Sequence, residues 1–205
     1  PDKDGRLFAS REFVPRGGSN PEQRYRIRIW DTINRQIVHT LETEGNPLAF
    51  SRDGKWLLIA SDRLELWDID NEGFLRDFQL GDESWRINAG ALNADGSLIA
   101  AGRATHLYLL NTNTKENLFD HELDSYPVRL DFSPDGCLLA VGERSGQVTL
   151  IDVKHSKIIR QWWDHAGTIL ELAFSADGRI LFTTGDDGRV NLRGVTGVLN
   201  EPAGQ

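Results

Sequence analysis

The stretch DFSPDGCLLAVGERSGQVTLID, residues 131–152, contains the pattern that decides the fold, because related versions of it recur along the chain. The copies align on an Asp-Gly pair, found at Asp4-Gly5, Asp53-Gly54, Asp95-Gly96, Asp135-Gly136 and Asp177-Gly178. The successive pairs are 49, 42, 40 and 42 residues apart. A period of this size predicts a repeat protein in which each copy forms one supersecondary unit.

The residues within each copy have the pattern of short β-strands. Residues 26–30 and 147–151 largely alternate polar with apolar side chains, as half-buried strands do. Asp-Gly between two apolar runs predicts a tight turn, because glycine adopts the positive φ that such turns require. Each copy is therefore predicted to contain strand a, the Asp-Gly turn, strand b, a link, strand c, a second turn and strand d.

A Trp-Asp pair closes strand c in the first two copies, at Trp30-Asp31 and Trp67-Asp68. Four short strands in a period of roughly 40–45 residues, with this pair, resemble the WD-repeat family of β-propellers. The resemblance covers about Gly5 to Gly194. It implies an all-β fold, a β-propeller of four-stranded antiparallel blades, with about five WD-like repeats and an incomplete ring.

We predict a single propeller domain, or part of one, over residues 1–205. Its repeat units are approximately 1–44, 45–83, 84–124, 125–165 and 166–205. The sequence starts close to strand b of its first unit and stops soon after strand c of its fifth. We therefore expect it to be a fragment of a longer protein.

The match to the family is degenerate at one hydrogen-bonded network. In the family, a His before strand a, a Ser or Thr in strand b, an Asp in the b–c turn and the strand-c Trp form this network. The resemblance implies the first three of these structural roles for His165, Thr183 and Asp187, with Arg193 at the Trp position. Three preceding units have Leu41, Glu83 and Leu123 at the His position. We expect those blades to rely on apolar packing.

Composition limits the ligands and the environment of the chain. A formal charge of -8 and a pI near 5.1 disfavour non-specific binding to nucleic acid or acidic membranes. No apolar run approaches the roughly 20 residues that a membrane-spanning helix needs. The single cysteine fits a reducing compartment, so we expect a cytoplasmic protein. We place this residue, Cys137, in strand b as a buried, small apolar side chain.

The sequence contains no recognisable catalytic motif. Its five histidines lack metal-ligand spacing, and it has neither a glycine-rich phosphate loop leading into a helix nor a G-x-S-x-G elbow. Asp186-Asp187 resembles an acid pair in isolation, but the family places an ordinary b–c turn there. We predict a protein that is not an enzyme and has no catalytic residue, cofactor or metal.

One link departs from the repeat. Residues 11–24, REFVPRGGSNPEQR, lie between strands b and c of the first unit and are predicted to form a long loop. Arg11, Arg16 and Arg24 make this loop basic in an acidic chain. Long loops on a rigid scaffold often bind partners, although a tolerated surface insertion explains this one equally well.

In the family, the b–c and d–a links emerge on the same face of the ring. The resemblance therefore brings together Arg63, Arg103 and Arg144 from b–c links and Trp85, Tyr126 and Trp163 from in or beside d–a links. Trp, Tyr and Arg are frequent energetic anchors at protein interfaces. For the tryptophans, the favoured alternative is packing between blades. For the arginines, the alternative is a solvated surface charge.

Two classes of function fit these observations. The favoured class is a non-catalytic scaffold that binds a protein or peptide partner through this face and contacts further blades or domains of the same full-length chain. The alternative is a sensor or regulatory propeller of a larger multidomain signalling protein or enzyme, with its catalytic domain outside this sequence. A propeller enzyme with its site in the central channel is a weaker third reading, which the fold alone does not exclude.

Overall fold

In the computed structural model, residues 5–14, 24–43, 45–71, 73–81 and 86–195 are described. Within these ranges all regular secondary structure is β-strand, and no helix long enough to cross a membrane is present. The chain divides into two compact units, Pro1–Ile87 and Asn88–Gln205.

Unit 1 contains two antiparallel sheets. The first has the order β1-β2-β3, with strands Leu7–Val14, Arg24–Asp31 and Gln36–Glu42. The second has the order β4-β5-β6-β7, with strands Asn46–Phe50, Trp56–Ala60, Leu64–Asp68 and Gly73–Phe78. The first sheet corresponds to strands b, c and d of one repeat, and the second sheet corresponds to all four strands of the next repeat.

Unit 2 contains three antiparallel sheets. The third sheet has strands β8 (Ile87–Leu92), β9 (Leu98–Arg103), β10 (His106–Asn111) and β11 (Asn117–Glu122). The fourth has β12 (Pro127–Phe132), β13 (Leu138–Glu143), β14 (Gln147–Asp152) and β15 (Lys157–Trp163). The fifth has β16 (Ile169–Phe174), β17 (Ile180–Gly185) and β18 (Val190–Gly194). These sheets confirm the predicted fold class, in which each strand pairs with the next along the chain.

The core of each unit lies where neighbouring sheets pack together. In unit 1, Ile27 and Ile29 of β2 form one cluster with Leu57 and Ile59 of β5, and all four side chains are fully buried. In unit 2, Leu107 of β10 belongs to a cluster that also contains residues of β13. Full burial of each such side chain stabilises the fold by roughly 1.5–3 kcal/mol.

The Asp-Gly turn is closed by side-chain hydrogen bonds. In the fourth sheet, Ser133 Oγ donates to Asp135 Oδ1 at 2.6 Å, and the same carboxylate oxygen accepts from the Cys137 N–H at 3.0 Å. These bonds lower the pKa of Asp135. The Leu138 N–H donates to Ser133 Oγ at 2.8 Å and begins the next strand. Equivalent bonds close the turns that follow Ser51, Asn93 and Ser175.

The acidic or amide residue at the end of strand c closes the second turn. Asp31 Oδ1 accepts from the N–H groups of Ile33 and Asn34, and Asp68 Oδ1 accepts from the Asn71 N–H. Asn34 and Asn71 lower the pKa of the two carboxyls through these and side-chain hydrogen bonds. The Asp of the Trp-Asp pair therefore has a local structural role.

Replacing Gly136 with Ala should lower the free energy of unfolding by about 1 kcal/mol. Gly136 has φ +71, and an added Cβ would meet nothing within 4 Å, so the cost comes from the backbone alone. Urea unfolding measures it. Gly194→Ala is the matched control, because that position is equally open and lacks a positive φ. Equal effects of the two substitutions would contradict this account of the turn.

Candidate partner-binding surface

Backbone hydrogen bonds bring the links of unit 2 together. The Arg144 N–H donates to the Tyr126 carbonyl at 2.9 Å, which joins a b–c link to the d–a link before β12. The Gly146 carbonyl accepts from the N–H of Asp164 at 3.0 Å, which joins the same b–c link to the link after β15. We call these four segments the link side of unit 2: residues 123–126, 144–146, 163–168 and 186–189.

Close backbone approach makes a glycine necessary at one point of this surface. Gly146 has φ +91, and a Cβ there would lie 2.2 Å from the carbonyl oxygen of His165. The Asp186 N–H donates to the Thr168 carbonyl at 3.0 Å and extends the same surface to the fifth sheet. The link side is therefore held by main-chain contacts, on which its side chains are displayed.

Trp163 is the largest exposed ring of the described part of unit 2. It ends β15, and 65% of its surface is accessible. The expectation that Trp163 packs between blades is therefore wrong. The neighbouring Trp162 packs against the cluster formed by the fourth and fifth sheets, and successive side chains of a strand point to opposite faces. Tyr126 lies half-buried in the d–a link.

The two predicted arginines of unit 2 have different surroundings. Arg144 is exposed in the three-residue link between β13 and β14. Arg103 was predicted in a link, but it is the last residue of β9 and only 4% exposed. Its hairpin has just two turn residues, Ala104 with φ 49 and Thr105, so the strand continues through Arg103 and pairs it with His106.

The three residues of the implied network are in contact. Asp187 is ionised at neutral pH, because hydrogen bonds led by that of His165 lower its pKa to about 2. His165 Nδ1 therefore donates to Asp187 Oδ1, at 2.9 Å, because a carboxylate only accepts. His165 Nε2 lies 3.0 Å from Thr183 Oγ1. The His165 side chain is fully buried, so this network fixes the link before β16 to the b–c turn.

A fourth residue, the acidic Asp164, completes the network, and the sequence did not predict it. The buried Asp164 accepts hydrogen bonds from Thr183 Oγ1 and, at 2.5 Å, from Arg193 Nε. Asn191 Nδ2 donates to the Asp164 carbonyl at 2.6 Å. Arg193, at the family's Trp position, therefore pairs with a buried carboxylate. The only signal in the sequence was that Asp164 directly precedes His165.

Leu41 and Leu123, at the His position of two other blades, are buried in apolar clusters, as expected, and Glu83 lies outside the described residues. Polar pairs accompany this apolar packing. In unit 1, Trp30 Nε1 donates to Ser10 Oγ at 2.9 Å and Trp67 Nε1 donates to Glu65 Oε2 at 3.0 Å. In unit 2, Thr149 Oγ1 donates to Glu143 Oε1 at 3.0 Å. Burial raises the pKa of Glu143. Pairing patterns that differ from the family motif fill the same need for hydrogen bonds.

The predicted long loop of unit 1 is shorter than expected. β1 continues to Val14 and β2 begins at Arg24, so Arg11 lies in a strand, opposite Ile27. Glu12 holds this extension of the hairpin together, since its Oε2 lies 2.7 Å from Arg26 Nε. The Arg11 guanidinium stacks on the Tyr25 ring with its carbon 3.5 Å from the ring centroid.

Of the other unit 1 residues predicted for the partner-binding surface, only Arg63 has a described side chain. Arg63 is exposed in the b–c link of the second sheet, and its Nη1 lies 2.8 Å from Asp77 Oδ2. Arg16 and Trp85 lie outside the described residues, as does the side chain of Arg24.

The position of Cys137 differs from the one that the sequence predicted. Cys137 is exposed in the turn before β13, so its placement in a strand with a buried side chain is wrong, because the strand begins only after the turn closes. Partial desolvation and the Asp135 carboxylate raise the pKa of its thiol, which disfavours the nucleophilic thiolate. Within the described ranges, His, Cys, Asp and Glu form no group of three or more that could hold a metal ion.

Sheets of up to four antiparallel strands, repeated along the chain and closed by recurring Asp-Gly turns, define a β-propeller repeat protein. The family model described as "WD domain, G-beta repeat" matches residues 156–192. This match and the relatives below support the WD-repeat family for the chain.

Curated relatives cover most of the chain but resemble it only distantly. It is 24% identical over 177 residues to WD repeat-containing protein 91 homolog of Dictyostelium discoideum, which is 80% of this chain and 23% of that protein. It is 26% identical over 175 residues to WD repeat-containing protein SL1-17 of Schistosoma mansoni, 80% of this chain and 56% of that protein. Apoptotic protease-activating factor 1 of Danio rerio is 26% identical over 146 residues, 70% of this chain and 11% of that protein.

Asp187→Asn should destabilise the chain at pH 7, because it removes the charged acceptor of His165 and of the Ala166 N–H. The folded-state pKa of Asp187, about 2, is below its ordinary 3.8. Its contribution is therefore present above pH 3.8 and is lost as the pH falls through about 2. Urea midpoints of both proteins at pH 7, 5 and 3 should show a gap that narrows at the lowest pH.

Asp186→Asn is the control for this prediction. It makes the same charge change at the adjacent, exposed position of the same turn. A midpoint shift as large as that of Asp187→Asn, or a gap that does not depend on pH, would contradict the assigned role of the Asp187 carboxylate.

Proposed function

We propose that the chain is a non-catalytic protein-interaction scaffold that binds a protein or peptide partner through the link side of unit 2. The exposure of Trp163 is the observation that carries this proposal. Trp162 already fills the packing position beside it, so packing within the sheets does not explain the second ring. A single large exposed ring with a rigid backbone beneath it is typical of an interface anchor.

An exposed charge in the neighbouring b–c link supports the same conclusion. Arg144 is exposed, and no carboxylate of the described residues lies within salt-bridge distance of it. Its backbone is fixed by the hydrogen bond to Tyr126. A partner carboxylate could therefore bind this guanidinium without displacing an ion pair of the described residues.

The charge and the cysteine content of the chain bear on its ligands and its location. We propose that it binds neither nucleic acid nor membranes, for which the charge of -8 is the support. We also propose that it acts without a cofactor. Its single cysteine supports a cytoplasmic location.

A second candidate function is a sensor or regulatory propeller within a larger protein. The lengths of the relatives favour it, because the chain spans 23% of the Dictyostelium relative and 11% of the Danio relative. The full-length sequence discriminates between the two candidates. A kinase, protease or nucleotide-binding domain beside the repeats would select this one.

The double variant Trp163→Ala/Arg144→Ala should weaken binding of a partner by about 2 kcal/mol, or roughly thirtyfold, because two anchors are removed together. The partner is first isolated by pull-down with the full-length protein, and its affinity for each variant is then measured by calorimetry. Circular dichroism should remain that of the parent, because both side chains are exposed.

The control variant is Phe182→Ala/Arg179→Ala. It removes an exposed ring and an exposed guanidinium from unit 2 at positions outside the link side. Parent-like affinity of Trp163→Ala/Arg144→Ala, or equal losses in both double variants, would overturn the proposed surface.

A further inference from the structure

We infer that a groove in unit 1 binds a cationic side chain, lysine or arginine, presented by the protein partner. This inference rests on the proposed function, because it names the chemistry of one partner contact. The groove has a volume of about 690 Å³, within the range of ligand pockets. Both sheets of unit 1 line it, through Tyr25 of β2, Trp67 of β6, Phe74 of β7 and the link residues 61–63.

A carboxylate with only neutral donors lies in this groove. Glu65 accepts hydrogen bonds from Trp67 Nε1 at 3.0 Å, from Ser61 Oγ at 3.3 Å and from Thr43 Oγ1 at 3.5 Å. No described Lys, Arg or His forms a salt bridge with it. These donors fix the position of the carboxylate without neutralising its charge, so the groove retains a negative potential.

The arginine that lines the groove does not cancel this potential. Arg63 Nη1 lies 2.8 Å from Asp77 Oδ2, and its charge is balanced by that pair. The adjacent Asp62 is exposed and adds a second negative charge to the lining.

A neighbouring group of charges is balanced within itself. Arg26 and Arg28 both face Glu12, with their Nε atoms 2.7 and 3.0 Å from its Oε2. Glu42, which lines the groove, lies opposite Arg26 in the register of β2 and β3 and interacts with its charge. Among the described residues, no salt bridge neutralises Glu65 or Asp62.

The rings of the groove suit a cation as well. Trp67 and Phe74 meet edge to face with centroids 5.9 Å apart, and Phe74 is 53% exposed. The Tyr25 ring already carries the Arg11 guanidinium on one face. Aromatic faces beside a carboxylate attract ammonium and guanidinium groups. An anionic ligand would be repelled, and an apolar ligand would bury Glu65 without a counter-charge.

The test uses the whole chain labelled with 5-fluorotryptophan. The sequence has six tryptophans, and the Trp67 resonance is assigned with Trp67→Phe. The probes are the peptides Ac-Ala-Arg-Ala-Lys-Ala-NH2 and Ac-Ala-Glu-Ala-Glu-Ala-NH2. The basic peptide should shift the Trp67 resonance saturably, and the acidic peptide should leave it in place. High salt should weaken the effect, because the contact is partly exposed.

Glu65→Gln should weaken binding of the basic peptide about fivefold, since it keeps an acceptor for Trp67 and removes the charge. Asp70→Asn is the matched control, with the same charge change in the turn between β6 and β7. Equal shifts from both peptides, or the same affinity in Glu65→Gln and Asp70→Asn, would overturn the inference.

The outcomes separate this inference from the proposed function. Loss of partner binding in Trp163→Ala/Arg144→Ala, with no response of Trp67 to the basic peptide, overturns the groove alone. A saturable response of Trp67, with unchanged partner affinity in that double variant, overturns the link side of unit 2 alone.

Discussion

The fold depends on apolar contact between neighbouring sheets, because the middle strands have no solvent face. β13 shows this most clearly, since all six of its residues are buried. Leu139 and Val141 belong to one cluster, shared with the third sheet, whereas Leu138 and Ala140 belong to another, shared with the fifth. One strand thus contributes to two cores. A sheet of this kind cannot bury its faces alone, so its stability depends on the interfaces with the neighbouring sheets.

The hydrogen bonds and ion pairs at one end of the sheets are similar from sheet to sheet, whereas those at the other end differ. At the Asp-Gly end, the same few hydrogen bonds recur, as those of Ser133 with Asp135 and Ser175 with Asp177 illustrate. At the link end, each unit has its own arrangement, such as the Arg63–Asp77 pair in unit 1 and the Asp164–Arg193 pair in unit 2. The hydrogen bonds of the first end are thus shared between the sheets, whereas the contacts of the second end differ from one sheet to the next.

The sequence predicted the features that depend on local spacing. The period and the Asp-Gly pairs located the strands and turns, because glycine conformation and alternation act within a few residues. Features that depend on distant neighbours were missed or misplaced. Arg103 was assigned to a link because a hairpin of two residues was not recognised, and Asp164 was overlooked because its partner Arg193 lies 29 residues away. The exposure of Trp163, rather than Trp162, follows from which face of β15 meets the next sheet.

At two degenerate positions of the repeat, polar contacts are redistributed rather than lost. Where the family's network is incomplete, Trp67 bonds to Glu65, and Arg193 pairs with Asp164. The first exchange leaves a negative charge beside aromatic rings in unit 1, and the second neutralises a buried acid in unit 2 while Arg144 stays exposed. Both exchanges keep a polar side chain hydrogen-bonded, as a buried or half-buried polar group requires. Trp67 and Arg193 also keep their places in the pairing of strands b and c, so the polar partners differ while the sheet is preserved.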